Sequence, residues 1–154
     1  MRNHQYNSRM CATQHSVSLA PSPRVVVVGK GTETHVPEKR VLVVEDDSDV
    51  RGFVTMVLAE EGYVVAEAEN GVEALTEVRK ERPSLILLDM RLPVMDGWEF
   101  SRRLHDEFGR SIPVVVMTAL HDPAVVARQV EARAFLRKPF DIAQLLTMVQ
   151  KNAA

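Results

Sequence analysis

Short apolar runs alternate with amphipathic stretches along the chain from residue 40 onward. The apolar runs are rich in β-branched residues and predict five buried strands, at 41–44, 63–68, 85–88, 112–119 and 134–137. The stretches after them place apolar residues at helical spacing and predict five helices, within 48–62, 70–83, 97–109, 122–132 and 141–152. This alternation predicts an α/β fold, with a doubly wound five-stranded parallel sheet and five flanking helices.

Residues 1–39 lack this regular pattern and are rich in Ser, Asn, Gln and His. We expect an N-terminal tail or linker over 1–39 that is disordered, followed by one domain over 40–154. The exception is the run Val25–Val28, which ends at a glycine. It could form a short strand, but the polar residues after it favour an apolar segment within a linker.

Composition and charge exclude several classes of protein. The 154 residues suffice for one domain with a substantial core, and the formal net charge of -2 argues against a nucleic-acid or polyanion binder. The single cysteine, Cys11, cannot form an internal disulfide, so a reducing compartment is expected. No apolar run approaches the roughly 20 residues of a membrane span. These features predict a cytoplasmic protein.

Polar residues follow three of the five predicted strands directly, and a threonine lies at the end of a fourth. In chain order they are Glu45, Asp46, Asp47, Asp89, Thr118 and Lys138. Singly, each has an ordinary structural interpretation: an acidic cluster before a helix is typical of an N-cap, a threonine of a turn and a lysine of a solvated surface. In a parallel sheet, however, all of them lie at the same edge, where such folds place their sites.

Converging carboxylates repel one another unless a cation neutralises them. A set of oxygen ligands without His or Cys favours Mg²⁺, which retains several waters and takes few carboxylates. Asp89 ends the central apolar run and could act as a nucleophile toward a phosphoryl group. Lys138, Thr118 and the backbone N–H of Ala119 would bind the remaining phosphoryl oxygens.

These segments resemble the receiver domain of two-component response regulators, in the stand-alone form of the chemotaxis receivers. VLVVEDD resembles the strand with the acidic pair, LILLDMRLPVMDG the phosphoacceptor strand and loop, VVVMTA the strand with the switch threonine, and KPF the lysine–proline turn. The four motifs occur in the family's order, and the resemblance covers residues 40–152. It implies a flavodoxin-like fold with strand order 2-1-3-4-5.

The resemblance also implies a role for each residue of the site. Asp89 is the expected phosphoacceptor and Lys138 the phosphoryl-binding lysine, whose bond to the next proline is often cis in the family. Thr118 and Phe135 are the expected switch pair. The implied Mg²⁺ ligands are the side chains of Asp46 and Asp89, the backbone carbonyl of Arg91 and, through a water, Glu45.

Two departures from the family pattern concern the end of the fourth helix and the neighbours of the site. Glu131-Ala132 stands where the family usually has Gly-Ala, so we expect the left-handed helix cap to be lost. Arg91 and Leu120 lie two residues after the phosphoacceptor and the switch threonine, positions that tune the phosphoryl lifetime in the family.

The leading interpretation is a single-domain response regulator, because the chain ends directly after the last predicted helix. It would not be an enzyme but a phosphoacceptor that promotes its own phosphorylation and dephosphorylation. Its expected partners are a histidine kinase or histidine phosphotransfer protein and a downstream protein, and its expected state is a monomer or a phosphorylation-dependent dimer.

Three alternatives remain open. The chain could be the receiver of a hybrid kinase, acting as a phosphorelay intermediate. It could be a metal-dependent phosphohydrolase, although such enzymes often carry a second acid where this chain has Arg91. It could also be a binding module that works without phosphorylation, which degeneration of the acidic site would favour.

Overall fold

The computed structural model describes residues 38–153, and the fold is built from five strands and five helices in strict alternation. The strands are β1 Arg40–Val44, β2 Val64–Ala68, β3 Leu85–Asp89, β4 Val114–Thr118 and β5 Ala134–Arg137. The helices are α1 Ser48–Glu60, α2 Gly71–Lys80, α3 Gly97–Phe108, α4 Pro123–Gln129 and α5 Ile142–Asn152. Every predicted element is present, with ends that differ by a few residues.

The strands form one parallel sheet in the order β2-β1-β3-β4-β5, which confirms the predicted fold class. The central strands are in close register, because Val44 of β1 pairs with Leu88 of β3, and Asp89 pairs with Met117 of β4. Three strands therefore end at nearly the same level. The residues that follow them meet at the carboxyl edge of the sheet.

The core has two layers because alternate residues of each strand point to opposite faces of the sheet. On one face, Leu42 and Val44 pack in a cluster with buried residues of α2, α3 and α4. On the other face, Val41 and Val43 pack with residues of α1 and α5. All of β3 is buried, so the strand that carries Asp89 is held on both sides.

The predicted helix starts are present: Asp122 and Asp141 cap α4 and α5, and Asp141 forms a capping box with Gln144. The expected loss of the left-handed cap after α4 is wrong. Glu131 adopts φ 54°, and the N–H groups of Glu131 and Ala132 donate to the carbonyls of Arg128 and Ala127, at 3.2 and 2.8 Å. These bonds form a Schellman motif with a glutamate in the position that glycine usually takes.

The predicted tail, including the run Val25–Val28, lies outside the described residues except for Glu38 and Lys39. Those two residues lead into β1, and the Lys39 ammonium donates to the backbone carbonyl of Ala153 at 3.3 Å. Among residues 38–153, no helix combines the length and the apolar character that crossing a membrane requires.

Candidate functional site

Three carboxylates converge at the carboxyl edge of the sheet. Glu45, Asp46 and Asp89 each place one oxygen within 4.8 Å of the others. Glu45 and Asp89 are buried, with 1% and 7% of their surface exposed, whereas Asp46 is exposed. The register of β1 and β3 produces this convergence, since both strands end beside each other.

The fourth acid of this edge, Asp47, has a different task. Its carboxylate accepts the backbone N–H groups of Asp49 and Val50, at 2.9 and 3.2 Å, and so caps α1. The structural interpretation of the acidic run therefore holds for Asp47. Glu45 and Asp46 do not cap the helix, and their carboxylates are available to the cluster.

Lys138 supplies the positive charge of the cluster. Its ammonium lies 2.5 Å from a carboxylate oxygen of Glu45 and 3.5 Å from one of Asp89. The lysine is positioned by its own backbone, because its N–H donates to the carbonyl of Thr118 at 2.9 Å. Its bond to Pro139 is cis. A residue that follows the last strand thus lies near two acids, one directly after β1 and one at the end of β3.

The charges do not balance within the cluster. Three carboxylates face one ammonium, which leaves excess negative charge. Burial raises the pKa of Glu45 most, and the charge of Asp89 raises it further, while the hydrogen bond from Lys138 and its charge oppose both. The site therefore favours an additional cation.

The geometry of the cluster fits Mg²⁺. Oxygens that bind one such ion lie about 2.0–2.1 Å from it, so two direct ligands can be up to about 4.2 Å apart. The upper limit of 4.8 Å between the three carboxylate oxygens slightly exceeds that separation. Both values are satisfied if two of the carboxylates bind the ion directly and the third binds it through a water.

The loop after Asp89 is fixed by close backbone contacts. The N–H of Gly97 donates to the carbonyl of Met90 at 3.0 Å, and the N–H of Arg91 approaches the Asp89 carboxylate at 3.5 Å. A Cβ atom on Gly97 would lie 2.8 Å from the Cα of Met90, so no larger residue fits there. Asp96-Gly97 is thus the point at which the loop returns beside the phosphoacceptor candidate and starts α3.

Within residues 38–153, neither of the predicted switch residues, Thr118 and Phe135, forms a hydrogen bond with these carboxylates. Thr118 is 1% exposed, and its hydroxyl oxygen accepts the N–H of Leu120 at 3.1 Å. Phe135 lies on β5, pairs with Val116 of β4 and is 38% exposed. The hydroxyl is therefore turned toward its own loop, and the aromatic ring lies at the surface.

Sequence reasoning missed an apolar cavity of about 490 Å³ next to Lys138. Its walls come from both ends of the domain and from the β4–α4 turn: Val50, Phe53, Ala119, Pro139 and Phe140. Val50 and Phe53 lie at helical spacing with the other apolar residues of α1, a pattern that predicts burial. Only the exposed fraction of Phe53, 36%, shows that part of this face remains open.

Comparison with known proteins gives a consistent result. The family model described as "Response regulator receiver domain" matches residues 41–150. Sporulation initiation phosphotransferase F of Bacillus subtilis is 36% identical over 115 residues, which cover 73% of this chain and 92% of that protein. The DNA-binding response regulator MtrA of Mycobacterium tuberculosis is 39% identical over 114 residues, covering 73% of this chain and 49% of the regulator.

Solved structures agree with the sequence comparison. The chemotaxis protein CheY4 of Vibrio cholerae superposes with a TM-score of 0.70 at 31% identity, covering 75% of this chain and 98% of that one. The receiver domain of the sensor histidine kinase PA1611 from Pseudomonas aeruginosa gives a TM-score of 0.69 at 30% identity, with the same coverage. That receiver was crystallised with a magnesium ion coordinated in its active-site cleft.

Proposed function

This chain belongs to the family of response regulator receiver domains, and from that premise we propose that Asp89 accepts a phosphoryl group from the phosphohistidine of a histidine kinase or phosphotransfer protein. Receiver domains of this family act as switches that phosphorylation controls. One observation supports the assignment above the others: the Asp89 carboxylate ends the buried central strand among two further carboxylates and an ammonium.

In the proposed transfer, a carboxylate oxygen of Asp89 attacks phosphorus. The P–N bond to the partner's histidine breaks, an acyl phosphate forms, and the imidazole retains the bonding electrons and takes up a proton. Lys138, 3.5 Å from the Asp89 carboxylate, binds a phosphoryl oxygen as the charge moves onto Asp89. The hydroxyl of Thr118 and the N–H of Ala119 bind the others.

The Mg²⁺ ion is held in this proposal by Asp46, Asp89, the backbone carbonyl of Arg91 and, through a water, Glu45. When bound, the ion neutralises the carboxylates and the oxygens of the phosphoryl group. The support is the charge and spacing of the acidic cluster, together with the magnesium in the related Pseudomonas receiver. The Lys138 ammonium, 2.5 Å from a carboxylate oxygen of Glu45, supplies further positive charge at the same edge.

The apolar cavity beside Lys138 is the proposed docking surface for the phosphodonor protein. Phe53 and Phe140 form apolar walls of the same cavity that Lys138, the proposed phosphoryl-binding lysine, also lines. An apolar helix face of the partner can cover these walls while its histidine reaches Asp89. Phe53→Ser is expected to lower transfer from the cognate kinase and to leave labelling by a small phosphodonor unchanged.

The output of the proposed switch lies on the face of α4, β5 and α5. A phosphoryl group on Asp89 offers strong acceptors to the Thr118 hydroxyl, whose oxygen here accepts the N–H of Leu120. Movement of Thr118 leaves space into which the exposed ring of Phe135 can turn. The downstream partner, and any dimer that forms on phosphorylation, would recognise the altered face.

We further propose that the domain spans 40–154 and works as a stand-alone cytoplasmic regulator rather than as an enzyme. The support is the Bacillus phosphotransferase, of which the matched region covers 92%. A second candidate, a receiver within a hybrid kinase, is favoured by the likeness to the receiver of a Pseudomonas sensor kinase. Arg91, in place of a second acid, disfavours a phosphohydrolase.

The test is phosphorylation of the purified protein by a small phosphodonor with Mg²⁺. One acid-stable, base-labile phosphoryl group is expected, and Asp89→Asn should abolish it. Asp47→Asn is the matched control, because asparagine also caps helices and Asp47 lies outside the cluster. Labelling of Asp89→Asn at the wild-type level would refute the assignment.

A transfer profile against the histidine kinases of the source organism then identifies the partner.

A further inference from the structure

A cleft of about 290 Å³ between α3 and α4 is bridged by side chains at two points. In the first bridge, the indole N–H of Trp98 donates to the side-chain oxygen of Gln129 at 3.1 Å. In the second, the guanidinium of Arg110 forms a two-pronged ion pair with Glu131, with one contact at 2.7 Å. We call these two bridges the α3–α4 clasp.

The clasp connects the segment that carries the phosphoacceptor to the far end of α4. Trp98 is the second residue of α3, and the preceding residue, Gly97, is bonded to the carbonyl of Met90, directly after Asp89. Gln129 is the last residue of α4. The other end of α4 follows the loop that begins at Thr118, so both ends of this helix are linked to the site.

The helix that the clasp holds is short. With seven residues, α4 is far below the length at which an isolated helix is stable, so its position depends on tertiary contacts. Its contacts with other elements are mainly with β4 and β5. The clasp bonds join α4 and the turn after it to α3 and the turn after α3. Glu131, the residue that the second bridge fixes, has the left-handed conformation that ends the helix. A change in the clasp therefore bears directly on where α4 ends and lies.

We propose that the α3–α4 clasp restrains α4 in the conformation seen here and thereby opposes the phosphorylation switch; this inference rests on the proposed function. In this conformation the Thr118 hydroxyl is bonded to its own loop and Phe135 lies at the surface. Bridges made by long side chains break when α4 shifts against α3, so their contribution is lost in the switched state. Each exposed bond of this kind changes the equilibrium by about twofold to fivefold.

The experiment compares the full chain with Trp98→Phe, which keeps the ring but loses the donor, and with Arg110→Gln. Amide resonances of α4 are recorded without and with beryllofluoride, a stable phosphoryl mimic, in the presence of Mg²⁺. In the free variants we expect these resonances to move along the line that joins the free and beryllofluoride-bound wild type. The affinity for beryllofluoride should rise by about twofold to fivefold in each variant, and by about tenfold in the double variant.

Arg102→Gln is the matched control. Arg102 lines the same cleft, but its ion pairs with Glu99 and Asp106 stay within α3. The control should keep the wild-type resonances of α4 and the wild-type affinity.

Clasp variants that match wild type in both measurements overturn the inference, and so do variants that bind beryllofluoride more weakly. Resonances that leave the line, as general destabilisation would cause, overturn it as well. In all these cases the wild type still responds to beryllofluoride. A wild type without any response would overturn the proposed function and the clasp together.

Discussion

The substitution Asp46→Asn removes one negative charge from the acidic cluster. Among residues 38–153, Lys138 is the one cation that forms ion pairs with this cluster. Glu45 and Asp89 share that lysine, whereas residues 38–153 provide no ion-pair partner for Asp46. Asn keeps the size and shape of the side chain. We therefore expect the variant to have a higher free energy of unfolding than wild type when no divalent ion is present.

The expected gain follows from the charges around Asp46. Glu45, Asp89 and Lys138 together present one net negative charge to it. At the limiting separation of 4.8 Å, two unit charges repel by about 3.5 kcal/mol at an effective dielectric constant of about 20 and by about 0.9 kcal/mol in water. Because Asp46 is exposed, the lower value applies, and we expect a gain of about 1 kcal/mol.

Magnesium should reverse the order of the two proteins. At a concentration tenfold above its Kd, the ion stabilises a protein that binds it by about 1.4 kcal/mol. Wild type should show this increase, whereas Asp46→Asn should not, because the proposal makes Asp46 a direct ligand. The assay is urea unfolding followed by circular dichroism, once with EDTA and once with Mg²⁺.

Asp49→Asn is the control for the charge change itself. Asp49 lies in the first turn of α1, outside the acidic cluster, where an acid interacts favourably with the helix dipole. This variant should lose about 0.3–1 kcal/mol and keep the wild-type response to Mg²⁺. If Asp46→Asn is less stable than wild type in EDTA, or gains as much from Mg²⁺, the electrostatic description of the cluster is wrong.

Three further predictions concern other parts of the molecule. Val94 has φ 66° and is 86% exposed, so Val94→Gly should raise the urea-unfolding free energy by about 0.5–1 kcal/mol; a gain of the same size in Val94→Ala, which keeps the strained backbone, would contradict this reason. Thr118→Ala should still accept phosphate on Asp89 but lose the change in amide shifts around Phe135, and an unaltered response would show that Thr118 does not couple them. Deleting residues 1–37 should leave the melting temperature nearly unchanged, whereas a marked drop would favour an added strand from Val25–Val28.

The elements of the fold were predictable because each strand is short, apolar and buried on one or both faces. The spacing of apolar residues shows which positions are buried, and strands of a parallel sheet are recognised by that burial. The convergence of Glu45, Asp46 and Asp89 was predictable for a related reason, since parallel strands must end at a common edge. Their chemical roles stay predictions, because proximity alone does not assign them.

Features that depend on distant side chains were not predictable. Glu131 keeps the left-handed cap in spite of its side chain, and that side chain is held by Arg110, which lies outside its own helix. The apolar cavity combines α1 with the segment before α5, so no local pattern describes it. Nor does the sequence show which acid of the run at 45–47 caps a helix, since that depends on the direction in which the backbone turns.

The distribution of the site along the chain has a consequence for synthesis. Glu45 lies near the start of the folded region, and Lys138 follows its last strand. A nascent chain exposes Glu45, Asp46 and Asp89 long before Lys138, which offsets part of their charge, has been translated. If Asp89 accepts a phosphoryl group as proposed, a truncated or half-folded product lacks an assembled site and cannot compete with the complete protein for the phosphodonor. Under the proposed function, only molecules that have finished folding would then receive the signal.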